Sequence, residues 1–156
     1  MVQQSEKKDS PPMPSARRRA RQLALQALYQ WQIAQSPIAS IESQFMSDND
    51  MDKVDSSYFS LILHGVPRQV SDLDEAIAIL LDREITRLDP IELTALRIGC
   101  YELVSQPSVP YRVVINEAIG LAKKFGAQDS HRYINSILDK LAHKLRVNEV
   151  RSYQKC

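Results

Sequence analysis

Residues 15–35 read SARRRARQLALQALYQWQIAQ, and the rest of the chain can be read outward from this stretch. Ala20, Leu23, Ala24, Ala27, Leu28 and Trp31 recur at three- and four-residue intervals, which lines them up on one face of an α-helix. Ser15 stands where an N-cap would accept a free backbone amide. Four arginines, Arg17, Arg18, Arg19 and Arg21, crowd the first turns of the same helix. Cations there meet the positive end of the helix dipole at a penalty of about 0.3–1 kcal/mol each, so helix formation supplies no reason for them. A polyanion does, because the planar guanidinium fork matches phosphate with two parallel hydrogen bonds. Taken alone, the run is equally consistent with the solvated basic start of an ordinary helix.

A chain of 156 residues, 44% hydrophobic and 25% charged, has the size and composition of one soluble domain with a sizeable core. No apolar run reaches the ~18–20 residues of a membrane span, and the N-terminus lacks the hydrophobic segment of a secretory signal; the expected location is cytoplasmic. Two cysteines, Cys100 inside an apolar helical pattern and Cys156 at the end, suggest no disulfide framework. The net charge of +1 conceals an asymmetry: residues 1–41 carry +4, residues 42–92 carry −8 and residues 93–156 carry +5. Basic ends brought together would form a positive face, and the acidic middle offers a surface for a basic protein partner.

Residues 1–14, with the Pro11, Pro12, Met13, Pro14 cluster, hold too little apolar surface to offset their ordering entropy and are expected to be disordered. Ser36 and Pro37 restart a short helix that buries Ile38, Ile41, Phe45 and Met46. Asp55 opens a longer pattern through Tyr58, Phe59, Ile62, Leu63 and Val66, and Gly65 with Pro67 should bend or interrupt it before Val70, Leu73, Ile77, Leu80 and Leu81 resume. After a short connection at 82–88, Asp89-Pro90-Ile91-Glu92 combines an N-cap, a first-turn proline and an acid at the third position, the sharpest helix start in the chain. The helix it opens, 91–105, is apolar on more than one side and belongs at the centre. Pro107 and Pro110 force an extended link. A helix over 112–125 stops at Gly126, expected as a left-handed cap, and Asp129 or Ser130 caps the last one, whose stripe is Ile134, Ile137, Leu138, Leu141 and Leu145. The domain thus runs over 15–146, and residues 147–156 read as a fraying tail. The expected class is all-α, with about seven helices.

Chemistry-bearing motifs are sparse. The four glycines form no phosphate loop, His64, His131 and His143 have no companions at metal-ligand spacing, and no nucleophile, base and orienter come together. No catalytic residue, metal or cofactor is expected. One further grouping stands out: Lys123, Lys124, Phe125 and Gly126, then Asp129, Ser130, His131, Arg132 and Tyr133. Lysines closing one helix, exposed amides opening the next, and an aromatic able to stack on an unpaired base suit single-stranded nucleic acid. A helix hairpin with dipole-matched lysines and a half-buried tyrosine would read the same way.

Four ordered segments make the chain resemble the NusB family of bacterial transcription antitermination factors: A-R-R-R-A-R-x-x-A-x-Q-A-L-Y-x-W-Q at 16–32, D-P-x-E-x-x-x-L-R-I-x-x-Y-E-L at 89–103, V-P-Y-R-V-x-I-N-E-A-I at 109–119 and A-K-K-F-G-A-x-D-S-H at 122–131, continuing into L-D-K-L at 138–141. The resemblance spans about residues 16–146 and implies an all-α fold of two small helical-bundle subdomains. It implies a non-catalytic protein that binds the boxA element of nascent ribosomal RNA transcripts, best as a heterodimer with NusE, a small-subunit ribosomal protein. The assembly would include NusA, NusG and RNA polymerase, and the free protein would be a monomer or homodimer. It also implies residue roles: Arg17, Arg18, Arg19 and Arg21, extended by Lys123, Lys124, Asp129 and Tyr133, for RNA, with Tyr133 where the family often has Phe, and Tyr29, Ile33 and Glu92 for the NusE-like partner. Two other readings remain at this level. One is a protein adaptor that binds no RNA. The other is the RNA-recognition part of a ribosomal RNA methyltransferase, although no cofactor-binding glycine motif is present.

Overall fold

A computed structural model describes residues 14–155; the expected disordered segment, apart from Pro14, lies outside them. The described residues form eight α-helices and one 3₁₀ turn, with no strand: α1 (Pro14–Ala34), α2 (Ile38–Asp48), α3 (Ser56–Arg68), α4 (Val70–Ala78), the turn Ile85–Arg87, α5 (Pro90–Ser105), α6 (Tyr111–Phe125), α7 (Ser130–Leu145) and α8 (Val147–Lys155). The all-α expectation holds.

The start of α5 forms as its sequence dictates. The Asp89 carboxylate accepts hydrogen bonds from the Ile91 and Glu92 amides at 3.0 and 3.3 Å, and Pro90 occupies the first turn, where no amide is needed. Residues on every side of α5 are buried, from Leu93 and Leu96 through Ile98 to Tyr101 and Leu103, and α1, α3, α4, α6 and α7 all pack on it. One continuous hydrophobic cluster joins all eight helices of the described residues. Leu25, Leu28, Phe59, Ile62, Leu96 and Leu138 are sealed from water, each contributing about 1.5–3 kcal/mol of burial.

Helix ends depart from expectation where tertiary contacts intervene. α1 already includes Ser15, so that residue is not its cap. Gln35 closes the helix in the left-handed region, at φ 59°. Pro37, not Ser36, takes the N-cap position of α2, its carbonyl accepting from the Ser40 and Ile41 amides at 3.1 Å. The interruption expected before Val70 occurs at Gln69, just after Pro67 in the last turn of α3. Gly65 is there for space: a Cβ would come within 2.4 Å of the Tyr101 ring. Gly126 is extended (φ −93°, ψ 177°), not left-handed, and its amide caps the Ala122 carbonyl at 2.8 Å. The left-handed residue in that turn is Asp129, whose side chain caps nothing. Leu145, placed on the core stripe by its spacing, is exposed.

The largest correction concerns the tail. Residues 147–155 form α8, and Val150 is buried. Arg146, also buried, explains the change. Its guanidinium donates to the carbonyls of Glu102, Leu103, Gln106 and Val109 at 2.8–3.1 Å and to Glu149 at 2.6 Å. Glu149 in turn accepts the Tyr111 amide at 2.8 Å. One arginine therefore caps the end of α5, holds the proline link and pins α8 to the start of α6.

Candidate nucleic-acid interface

The four arginines of α1 face different environments. Arg21 is buried and clamps Glu102 of α5, with Nε and Nη2 each donating at 2.8 Å to a separate carboxylate oxygen. Nη1 reaches Glu117 of α6 at 3.3 Å, and the Tyr58 hydroxyl donates to Glu102 from the far side. Burial opposes the charge on Arg21, yet the hydrogen bonds and charge of Glu102, with Tyr58 and Glu117 behind them, hold its guanidinium above its ordinary pKa. Tyr58 is pushed up as well, first by burial and then by the charge of Glu102. The view that folding gives no reason for these arginines is thus corrected for Arg21, which joins α1, α3, α5 and α6.

Arg17 is half-buried over the Tyr58 ring, 4.2 Å from its centroid, with Asp55 3.6 Å from its Nε. Arg18 turns outward, 59% exposed, and forks onto Glu117 through contacts of 3.0–3.3 Å. Arg19 is exposed and has no partner among the described residues.

Lys123 and Lys124 lie in the last turn of α6, where the helix dipole favours cations, and both are exposed. Lys124 Nζ donates to the Gln22 side chain at 3.2 Å, one turn beyond Arg18 on α1. Two basic segments about a hundred residues apart in sequence are therefore neighbours. Asp129 is exposed and sits 3.7 Å from Arg132. Tyr133 makes different contacts from the lysines: its hydroxyl donates to Asp82 at 3.0 Å, and the Arg83 guanidinium lies 4.6 Å above its ring. The Arg83 hydrogen bond, followed by that from Tyr133, holds Asp82 below the usual carboxylate range, and burial, then the Asp82 bond, raises Tyr133. The ring is thus engaged with the 82–83 loop and not with α1.

Further along α1, Tyr29 and Ile33 are 39% and 60% exposed and line an apolar groove of about 460 Å³ with Phe45, Ile91 and Phe125. Glu92 follows Ile91 in the first turn of α5, where the dipole favours an acid. Its charge adds to the dominant effect of Asp82 in raising the pKa of Arg83. Among the described residues no three His, Cys, Asp or Glu side chains gather as a metal site, and burial, then Asp74, pushes the Cys100 thiol up to about 12.

The sequence profile of the NusB family matches residues 18–143, the span that carries both basic segments except Arg17, and the groove. The chain belongs to the NusB family. Transcription antitermination protein NusB of Hahella chejuensis is 54% identical to it over 134 residues, 86% of this chain and 90% of the relative. The NusB of Alcanivorax borkumensis is 52% identical over 141 residues, 90% and 94% of the two chains. Among solved structures, T. maritima NusB superposes with a TM-score of 0.71 at 28% identity, covering 83% of this chain and 92% of that one. A chain from a crystal structure of antitermination factors NusB and NusE in complex with dsRNA gives 0.71 at 23% identity, covering 80% and 93%, and shows the shared NusB fold.

Within this NusB-family chain, the residues that sequence reasoning passed over are mostly acids. Glu102 stands between Tyr101 and Leu103, after the apolar Ile98 and Cys100, a signal that a cation must come to it. Arg21 carries the matching signal, since Ala24, Leu25 and Leu28 follow it at three, four and seven residues. For Glu117, Asp82 and Arg83 no comparable local pattern exists.

Proposed function

We propose that this NusB-family chain is a non-catalytic transcription antitermination factor that binds single-stranded boxA RNA of nascent ribosomal transcripts. It acts in the cytoplasm, best as a heterodimer with NusE, in an assembly with NusA, NusG and RNA polymerase. One observation carries the RNA reading: the Lys124–Gln22 hydrogen bond brings Lys124 of α6 against α1 one turn from the outward-facing Arg18. Four cations on two neighbouring helices supply a track for a phosphate backbone. Arg17 and Arg21 support that track from below, through Tyr58, Glu102 and Glu117. Tyr133, with Arg83 on its ring, offers a stacking platform at a second position, and Asp129 lies in the turn that leads to it. The antitermination names of relatives above 50% identity, and a fold shared with the NusB of a NusE and dsRNA complex, support the same assignment.

The partner side of the proposal is the groove at Tyr29 and Ile33, with Glu92 next in sequence to its lining residue Ile91. Exposed aromatic and aliphatic side chains beside an acid suit a partner that presents an apolar anchor and basic residues around it. Binding of boxA and a scrambled RNA of equal length, with and without NusE, tests both sides together. The expected result is a preference for boxA that NusE strengthens. Retention of NusE with no preference between the RNAs would replace this reading with a protein adaptor.

A further inference from the structure

Glu117 lies in the middle of α6, its side chain 12% exposed, between two arginines of unequal freedom. Arg21, 4% exposed, donates from Nη1 to Glu117 Oε1 at 3.3 Å while its Nε and Nη2 stay on Glu102. Arg18, 59% exposed, offers Nε and Nη2 to the same carboxylate at 3.0–3.3 Å. Beside this pair a cleft of about 240 Å³ runs between α1 and α6, lined by Gln22 and Asn116 as well as Arg18 and Glu117. Its floor is open at Gly120, where a Cβ would meet nothing within 4 Å. A carboxylate and a phosphate engage the guanidinium fork through the same two hydrogen bonds, so Glu117 holds the donors an RNA phosphate would use. Resting on the RNA reading above, we propose that Glu117 is an intramolecular competitor for Arg18, occupying its fork in the free protein and yielding it to a backbone phosphate of single-stranded RNA seated in this cleft.

The geometry makes the exchange reversible. When Arg18 leaves, Glu117 keeps Arg21, so no buried carboxylate is stranded without a cation. The Arg18 contact is open to water, and such pairs are weak enough to be replaced by a better-placed anion. Glu117 thereby acts as a positioning residue. It holds Arg18 along the cleft, and it disfavours any polyanion that approaches without seating a phosphate there, since its own charge then remains unscreened.

A double-mutant cycle tests the proposal: affinity for a short boxA RNA, with NusE present, in the unmodified protein, Glu117→Gln, Arg18→Ala and the double variant. Glutamine keeps the shape and an acceptor for Arg21 while weakening the hold on Arg18. The expected result is RNA binding about three- to fivefold tighter in Glu117→Gln, with the gain abolished when Arg18 is alanine. An equal gain in both backgrounds would make Glu117 a distant negative charge, and no gain in the folded variant would remove the competitor altogether; either outcome overturns the inference. NMR of the arginine Nε–H groups in the unmodified protein gives an answer independent of folding: saturating RNA moves the Arg18 signal and leaves that of Arg21 in place. An unmoved Arg18 signal in a protein that binds RNA overturns this inference alone, whereas absence of RNA binding removes the RNA reading and this inference with it.

Discussion

Arg21 and Glu102 meet edge to edge across the α1–α5 contact, two hydrogen bonds of 2.8 Å joining side chains that are 4% and 1% exposed. Without Arg21, Glu102 is a charge in the core with no counter-ion. Removing one member of such a pair costs about 3–5 kcal/mol, because the remaining charge stays buried without its counter-ion. Arg21→Ala should therefore lower stability by that amount in denaturant titrations. Under conditions where the variant is folded, the salt dependence of its RNA binding should match that of the unmodified protein. A shallower salt slope would show that Arg21 contacts phosphate after all.

The outward cations lead to a different expectation. If Arg18, Arg19, Lys123 and Lys124 each neutralise one phosphate of a single strand, the logarithm of affinity falls against the logarithm of salt with a slope of about −3. Arg19, exposed and unpartnered among the described residues, has no structural duty that would complicate its removal. Arg19→Ala should leave the melting temperature within about a degree or two and bring the slope to about −2. A slope near zero in the unmodified protein would dismiss the cation track.

Tyr133 offers stacking area that Arg83 already partly covers. Stacking of a base is worth about 1–3 kcal/mol by alanine substitution, so Tyr133→Ala should weaken boxA binding by that much and alter NusE affinity less. Tyr133→Phe keeps the ring but loses the hydrogen bond to Asp82, and should retain most of the affinity. Equal RNA affinity in the alanine variant would exclude Tyr133 from the contact surface.

α8 makes a prediction about acid stability. Burial works against the Glu149 carboxylate, but the Tyr111 amide and Arg146 outweigh it and hold Glu149 below the usual carboxylate range. A carboxylate with a lowered pKa in the folded state stabilises fully above its unfolded pKa, and the contribution is lost as pH falls through the folded one. Glu149→Gln should reduce stability near neutral pH and make the loss between about pH 7 and pH 3 shallower, as denaturant midpoints at the two ends would show. A variant that loses stability with acid as steeply as the unmodified protein would locate that sensitivity elsewhere.

What could be read from local sequence is what local forces decide. The helical period of α1, the Asp89-Pro90 start of α5 and the all-round apolarity of that helix depend on residues within a few positions of one another. Sequence also marked both basic segments, because charge is visible without a fold. It left open which arginines face outward, since a buried guanidinium is tolerable only when carboxylates arrive to meet it. Those of Glu102 and Glu117 come from more than eighty residues away. α8 shows the same limit: a stretch without a strong apolar stripe became a helix because Arg146 and Glu149 found the open carbonyls of α5 and the free amide of Tyr111. Tertiary structure alone decided these cases, because the free energy of burying a charge depends on partners that only the packed chain supplies.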